Sequence, residues 1–238
     1  MSNVVSLAVD EGIAEITIDL PPVNAINYQI RAGLLETFQA AIADPEVKAI
    51  VLLCAGRTYM AGADINEFNT GVGEPAYHDV YRVMENSEKL IVTALHGTAL
   101  GGGLEAALAC HYRCATATAR MGLPELSLGI IPGAGGSQRL PRLIGAKATV
   151  EMIFGIGPIS TDKAMELGLL DRIIEGDLRD GAIAYARELL ENGAGPRRCG
   201  EMKVDTKGYD DEFIADMKKL AAKRMRGQDA PARLLEAV

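Results

Sequence analysis

The chain has 238 residues, of which 48% are hydrophobic, so it can bury a substantial core as one main domain with an appended segment. Its formal net charge of -8 disfavours nucleic-acid binding by general phosphate attraction, so an anionic ligand would have to be held by local groups. No apolar run reaches the roughly 18 residues of a membrane helix and the start does not resemble a signal peptide, so we expect a cytoplasmic protein without membrane contact.

The first elements follow strand and helix patterns in turn. Apolar and polar residues alternate over residues 4–21 around the turn residues 10–12, which predicts a β-hairpin. Apolar residues then recur at helical spacing from Tyr28 to Ala43, before Asp44 and Pro45 end the pattern. The run "VKAIVLLCAG" at 47–56 predicts a strand that is buried on both faces.

The same alternation continues along the chain and predicts an α/β fold. Residues 76–90 are typical of a helix and 91–97 of a strand, and a second helix opens at Gly102. The glycine-rich residues 129–145 carry no pattern that assigns them to an element. The later predicted elements are helices at Lys147–Phe154 and Thr161–Leu167, a short strand at 169–175 and a helix at 178–192.

The regular alternation of strands and helices ends before the last part of the chain. Residues 193–208 combine glycine, proline and basic residues without periodicity, which indicates a connector, and residues 210–226 resume as an amphipathic helix. We therefore expect a core over residues 1–192 and, over residues 193–238, a connector and helical segment too short to form its own core.

The sequence contains little that indicates a metal-binding or nucleotide-binding site. Cys110 and Cys114 flank His111, but no second pair of ligands follows, so we expect no metal and reduced thiols. The sequence lacks a dinucleotide-binding glycine loop, a P-loop and a G-x-S-x-G elbow. The histidines His78, His96 and His111 are scattered, so we interpret each as structural.

Three glycines, Gly101 to Gly103, lie between a strand pattern and a helix pattern. The first N–H groups of a helix are unpaired and favour negative charge, so the Gly102 N–H could bind an oxyanion that approaches the bare backbone. Glu105 lies in the first helical turn beside it. The alternative is a tight turn in which Glu105 only interacts with the helix dipole.

Two further segments favour the oxyanion site over the tight turn. Glu125 follows a proline in an apolar, glycine-rich stretch, and two carboxyls in one pocket would titrate apart, as acid and base chemistry requires. Ala63 follows the buried strand and offers a second N–H at a strand's carboxyl end. Read alone, Glu125 could be a solvated loop residue, and residues around Ala63 could form a turn into a helix capped by Asp64.

Three motifs in this order resemble the crotonase, or enoyl-CoA hydratase/isomerase, superfamily. They are "AGADI" at 61–65, "HGTALGGGLEAALAC" at 96–110 and "GLPELSLGIIPGAGGSQRLPRLIG" at 122–145. Residues 94–145 look closest to hydratase domains of multifunctional fatty-acid oxidation enzymes. The resemblance implies an α/β, crotonase-like spiral of ββα units with C-terminal helices, and a segment after residue 192 that is shorter than usual.

The resemblance also implies the site. The Ala63 and Gly102 N–H groups would bind the thioester oxygen of an acyl-CoA, while Glu105 activates water and Glu125 supplies a proton. Hydration of trans-2-enoyl-CoA would give a 3-hydroxyacyl-CoA in fatty-acid β-oxidation. Coenzyme A is part of the substrate, so no separate cofactor is expected. The other substrate-binding positions implied are Arg57, Ala61, Asp64, Ile65, Gly101, Pro124 and Gly133.

Several alternatives stay open. The chain could instead be an enoyl-CoA isomerase, another crotonase-type enzyme or a non-catalytic acyl-CoA-binding protein. Arg57, expected near the CoA phosphates, could be a solvated turn residue. By family analogy we expect a homotrimer or hexamer, or fusion to a dehydrogenase in a longer chain. Acyl-chain preference should depend on loops such as Asn69 to Tyr77.

Overall fold

The structure is a computed structural model that describes residues 4–67, 71, 73–155 and 157–238. The strands, in chain order, are β1 (Val5–Asp10), β2 (Ile13–Ile18), β3 (Ala49–Cys54), β4 (Leu90–Leu95), β5 (Thr98–Leu100), β6 (Tyr112–Thr116), β7 (Arg120–Gly122), β8 (Ile159–Ser160) and β9 (Arg172–Ile174). The helices are α1 (Tyr28–Ala43), α2 (Tyr77–Glu85), α3 (Gly102–Ala109), α4 (Gly136–Ile144), α5 (Ala146–Phe154), α6 (Thr161–Leu167), α7 (Leu178–Glu191), α8 (Asp211–Arg224) and α9 (Ala230–Ala237).

The strands of the described residues form two sheets. The larger has the order β1-β2-β3-β4-β6-β9, and the smaller has the order β5-β7-β8. In the larger sheet only β1 and β2 pair antiparallel, which confirms the predicted hairpin, and its other strands are parallel. This mixed architecture, with helices between successive parallel strands, confirms the predicted α/β class.

Strand β3 is buried on both faces, as predicted. Its side chains alternate between two apolar clusters, with Ile50 and Leu52 in one and Val51 and Leu53 in the other. The first cluster includes Leu34 of α1, and the second includes residues of α7. The sheet therefore lies between two helical layers, which explains why β3 reads as a continuous apolar run.

Most predicted helices are confirmed within about two residues of their ends. The prediction of a helix to residue 90 is wrong because α2 ends at Glu85 and Leu90 already belongs to β4. The predicted strand at 91–97 is also corrected. It ends at Leu95, and after Gly97, whose φ is 56°, the chain enters the second sheet as β5.

The sequence pattern assigns no element to residues 129–145, and the structure shows helix α4 there, at Gly136–Ile144. Pro141 lies inside this helix and removes only one backbone hydrogen bond. The helix buries Gly136, Ser137, Leu140 and Pro141. This buried face stabilises a helix that local propensity disfavours.

The C-terminal residues pack onto the rest of the chain. After a short 3-10 helix at Cys199–Glu201 come α8 and α9, and α9 buries Leu234 and Leu235 in the main apolar cluster. These helices extend the existing core, in line with the small number of apolar residues that the segment carries. No helix within the described ranges is both long enough and apolar enough to cross a bilayer.

Candidate active site

The sheet topology brings the three motif segments to one edge. Strands β5 and β7 are parallel with Leu100 opposite Gly122, and Met60 forms a parallel bridge with Ala99. The residues that follow each of these positions therefore leave the small sheet on the same side. They enclose a cavity of about 440 Å³. Of the predicted site residues, those that line it are Ala61, Ala63, Ile65, Gly101, Gly102, Glu105, Pro124, Glu125 and Gly133.

The amides of Ala63 and Gly102 lie side by side in the cavity wall. A Cβ atom placed on Gly102 would be 3.7 Å from the Ala63 nitrogen. Ile26 brackets Ala63, because its N–H donates to Gly62 O at 2.8 Å and its carbonyl accepts from Asp64 N at 2.9 Å. Successive groups of an extended segment point to opposite sides, so the Ala63 N–H faces away from Ile26. Neither amide donates to another described residue.

Glu105 is held at one oxygen and free at the other. Its side chain is 3% exposed, and Oε1 accepts hydrogen bonds of 2.8 Å from the N–H groups of Ala134 and Gly136. Among the described residues, no group donates to Oε2. Burial raises the pKa of Glu105, while the two backbone hydrogen bonds and then the Arg139 charge lower it. The carboxylate is thus fixed in direction while one oxygen stays available to a ligand.

Glu125 faces the same cavity, but its side chain lacks backbone donors like those that fix Glu105. It opens a 3-10 helix, Glu125–Leu128, and its Oε2 is buried with no partner among the described groups. A Cβ atom on Gly101 would lie 3.1 Å from Glu125 Oε1, so the bare backbone admits this carboxyl. Burial, and then the charge of Glu105, raises the pKa of Glu125 to about 7. Near neutral pH one acid can therefore carry a proton while the other is ionised.

Two predicted site residues lie outside the cavity wall. Arg57 is exposed on the turn after β3, so its contact with CoA phosphates stays a prediction. Asp64 Oδ1 accepts from the backbone N and the Nδ2 of Asn66, at 2.9 and 2.8 Å. This side chain shapes the local turn, and the geometry gives no support for the predicted substrate contact.

The histidines differ from one another. His111 is buried between Ile91 N and the Glu85 carbonyl, at 3.1 Å from each, as its structural interpretation predicts. His78, interpreted in the same way from sequence, lines the cavity instead. Within the described ranges, no three His, Cys, Asp or Glu side chains are grouped to hold a metal ion.

Supporting residues that sequence reasoning missed surround the two amides. Tyr81 donates to Gly102 O at 2.8 Å, and Tyr77 donates to Ile26 O at 3.0 Å. The spacing of the two tyrosines, four apart in a helical pattern, places them on one face and could have indicated a shared role. Asn24, which donates to three carbonyls of residues 55–59, has no such signal in the sequence.

Comparison with known proteins agrees with this geometry. The sequence profile of the enoyl-CoA hydratase/isomerase family matches residues 8–206. The chain is 43% identical over 175 residues to a probable enoyl-CoA hydratase of Bacillus subtilis (strain 168), covering 71% of this chain and 68% of that protein. It is 38% identical over 231 residues to a peroxisomal bifunctional enzyme of Danio rerio, covering 97% of this chain and 32% of the relative.

The chain thus spans about a third of the length of the bifunctional relatives it matches. Among solved structures, an enoyl-CoA hydratase from Bacillus anthracis superposes with a TM-score of 0.73 at 26% identity. That alignment covers 99% of this chain and 90% of the other. The likeness therefore extends over the motif segments, the sheets and the C-terminal helices.

Proposed function

The chain belongs to the enoyl-CoA hydratase/isomerase family, and from this premise we propose that it is an enoyl-CoA hydratase. It would add water across the double bond of a trans-2-enoyl-CoA to give a 3-hydroxyacyl-CoA, the hydration step of fatty-acid β-oxidation. One observation carries the proposal. Two buried carboxyls, Glu105 and Glu125, share a cavity with two backbone amides that donate to no described residue.

The amides of Ala63 and Gly102 would bind the thioester oxygen. Negative charge builds on that oxygen as water attacks C3, because the electrons of the double bond move toward the carbonyl. Two fixed N–H dipoles stabilise the charge without having to reorient, and one such donor is typically worth about 3 kcal/mol. Gly102 also begins α3, so the helix dipole adds positive potential at the same point.

The two acids would divide the proton transfers. Glu105, whose ionised form accepts two N–H bonds, takes a proton from water as the water oxygen bonds to C3. Glu125, whose Oε2 accepts from no described group, has a pKa of about 7, so a large fraction of it carries a proton near neutral pH, and this protonated form gives its proton to C2. After the reaction Glu105 is protonated and Glu125 ionised, so a proton must move between them before the next turnover.

The rest of the cavity suits an acyl thioester. Its wall includes the apolar side chains of Ile65, Leu128, Ile130 and Ile131, which can hold an acyl chain. Arg57 would contact the CoA phosphates outside the cavity, with coenzyme A entering as part of the substrate. The loop from Asn69 to Tyr77 is expected to influence which acyl-chain length is preferred. Within it, Asn69, Thr70 and Val72 lie outside the described residues.

The proposed assembly and location rest on family analogy. A free-standing chain would form a homotrimer or hexamer. The alternative is fusion to a dehydrogenase in a longer chain, and the match to about a third of a bifunctional enzyme supports the longer chain. We propose a cytoplasmic location. Light scattering of the purified protein and fractionation of cells test these two statements.

The test of the reaction uses crotonyl-CoA, whose conjugated ultraviolet absorbance disappears on hydration. The wild type should remove this absorbance, and Glu105→Gln and Glu125→Gln should each lower kcat at least about 100-fold, the usual contribution of a positioned acid or base. Glu36→Gln, at an exposed site on α1, serves as the control and should keep the wild-type rate. Wild-type rates in both active-site variants would refute the hydratase proposal.

Isomerisation of a 3-enoyl-CoA to a 2-enoyl-CoA is the second candidate. The observation in its favour is the pKa of Glu125, which at about 7 lets one carboxyl both accept and return a proton. A 3-enoyl substrate that is converted faster than a 2-enoyl substrate would favour it. The ratio of the two kcat/KM values decides between the reactions.

A further inference from the structure

Arg139 of α4 lies behind the loop that holds Glu105. We propose that Arg139, anchored by Glu85, is a positioning residue that keeps Glu105 oriented for the removal of a proton from water. The inference rests on the proposed hydratase function, and it assigns a role to a side chain outside the cavity lining. It acts through the backbone of Ala134 and Gly136, without touching the substrate.

Arg139 and Glu105 both form hydrogen bonds with the backbone of Ala134. Arg139 Nη1 donates to the Ala134 carbonyl at 3.1 Å, and the Ala134 N–H donates to Glu105 Oε1 at 2.8 Å. Arg139 therefore binds the carbonyl of Ala134, while Glu105 binds the N–H of the same residue. Gly136 N donates to the same Oε1, also at 2.8 Å. A shift of this short loop would move both donors and turn the carboxylate.

The loop is shaped around the guanidinium. A Cβ atom on Gly135 would lie 2.2 Å from Arg139 Nη1, and the φ of Gly135 is 111°. Only glycine can adopt this backbone at so close an approach. The loop that presents the two amides to Glu105 is thus folded against the Arg139 side chain.

Glu85 fixes the arginine in turn. Arg139 Nε and Nη2 donate to Glu85 Oε2 at 3.1 and 2.8 Å, and both side chains are largely buried, 12% and 15% exposed. The other oxygen of Glu85 accepts from Gly200 N at 2.9 Å. The end of α2, the start of α4 and the C-terminal connector therefore meet at one ion pair, which has little freedom to move.

The charge of Arg139 also acts on Glu105. The charged or titratable groups that face Glu105 are Glu125 of the 3-10 helix, Tyr77 and Tyr81 of α2, and Arg139 of α4. Among these described groups only Arg139 carries positive charge, and it opposes the rise in the pKa of Glu105 that burial causes. Removing this cation should raise that pKa further and leave less of the base ionised.

The experiment compares Arg139→Gln, Arg139→Lys and Glu85→Gln with the wild type on crotonyl-CoA. Arg139→Gln should lower kcat about 30-fold, since both orientation and charge are lost, while KM changes less than about threefold. The acidic limb of its pH–rate profile should move to higher pH. Arg139→Lys should return the limb close to its wild-type position, because the charge is kept, and should recover only part of kcat.

The matched control is Arg142→Gln on the same helix, where Arg142 Nη1 donates to the Gln138 carbonyl and Arg142 forms no ion pair with a described residue. It should keep the wild-type profile. A rise in KM alone, or an unmoved acidic limb in Arg139→Gln, would overturn the proposal. If Arg139→Gln does not fold, Glu85→Gln decides, since it keeps the arginine and should shift kcat in the same direction by a smaller factor.

A second readout does not depend on turnover. The pKa of Glu105, followed by carboxyl 13C NMR in labelled protein, should be higher in Arg139→Gln than in the wild type. An unchanged value would refute the role of Arg139 even if the enzyme is active. If the wild type does not hydrate crotonyl-CoA but the pKa of Glu105 is still higher in Arg139→Gln, the proposed function is refuted and the effect of Arg139 on Glu105 remains.

Discussion

A Cβ atom on Gly103 would lie 2.3 Å from the carbonyl oxygen of Met60. Gly103 belongs to the first turn of α3, and Met60 bridges Ala99 just before the segment that carries Ala63. This close approach brings the helix start and the second amide to one point. The two proposed oxyanion donors are therefore adjacent because position 103 has no side chain.

We expect Gly103→Ala to lower the free energy of unfolding by about 3 kcal/mol, since the added methyl meets fixed backbone. Crotonyl-CoA hydration should fall with it, because relief of the contact separates α3 from the Ala63 segment. Urea denaturation measures the first effect and the absorbance assay the second. Gly195→Ala is the control, as nothing lies within 4 Å of its added Cβ. Equal stability of the two variants would contradict the steric argument.

Asn24 is a second residue whose role is set by backbone contacts. It is 3% exposed with a φ of 51°, and its Nδ2 donates to the carbonyls of Ala55, Thr58 and Tyr59. Its Oδ1 accepts from Leu20 N at 2.8 Å. The side chain thus ties the loop before the Ala63 segment to the end of the first hairpin.

Asn24→Ala should lower the free energy of unfolding by about 3 kcal/mol, because several buried backbone groups lose their partner. Asn24→Gly loses the same hydrogen bonds but tolerates the positive φ, so we expect it to be slightly more stable than Asn24→Ala. Thermal and urea unfolding of both variants give the comparison. Wild-type stability of Asn24→Gly would show that the backbone conformation, and not the hydrogen bonds, matters here.

Local pattern predicts much of the fold, and the family resemblance of the motif segments predicts the main site residues. The hairpin and α1 follow from periodicity, and the motif segments bring Ala63, Gly102, Glu105 and Glu125 to one cavity. The features that the sequence pattern does not predict depend on contacts between residues far apart in the chain. Arg139 and Glu85 are 54 residues apart, and neither lies in a local pattern that indicates an ion pair. Helix α4 is missed for the same reason, since burial rather than propensity stabilises it.

Arg31 provides a test of a buried ion pair beside the cavity. Its side chain is fully buried, Nη1 contacts Glu67 Oε2 at 2.5 Å, and Nε donates to the Pro75 carbonyl at 2.8 Å. Its guanidinium also lies 4.9 Å from the ring centre of Tyr77, which packs near Gly102. Arg31 therefore joins α1 to the residues that follow the Ala63 segment and to the start of α2.

We expect Arg31→Met to lower the free energy of unfolding by about 3 kcal/mol, because Glu67 loses its ion-pair partner and keeps only the hydrogen bond from Tyr28 N. Glu67→Gln should cost less, and the double variant should be more stable than the sum of the two single changes implies. A double-mutant cycle by urea denaturation measures this coupling. Strict additivity would mean that the two side chains do not stabilise each other.

The raised pKa of Glu125 makes stability depend on pH in a direction that can be checked. Folding raises this pKa from 4.5 to about 7, so the folded state binds the proton more tightly than the unfolded chain does. The favourable contribution of the protonated form is complete below pH 4.5. This contribution is lost as pH rises to 7. At that pH the free energy of unfolding is about 3 kcal/mol lower than it would be with a side chain that stays neutral.

Glu125→Gln cannot ionise, so we expect its stability relative to the wild type to increase between pH 4.5 and pH 7 and to level off above. Urea denaturation at pH 5 and pH 8 measures the difference, with Glu36→Gln on the surface of α1 as the control that should show no such trend. The same titration should lower kcat/KM of the wild type above pH 7, since Glu125 then lacks the proton that it gives to C2. A Glu125→Gln variant that gains nothing at pH 8 would mean that the folded protein solvates this carboxylate, and a proton donor at position 125 would lose its physical basis.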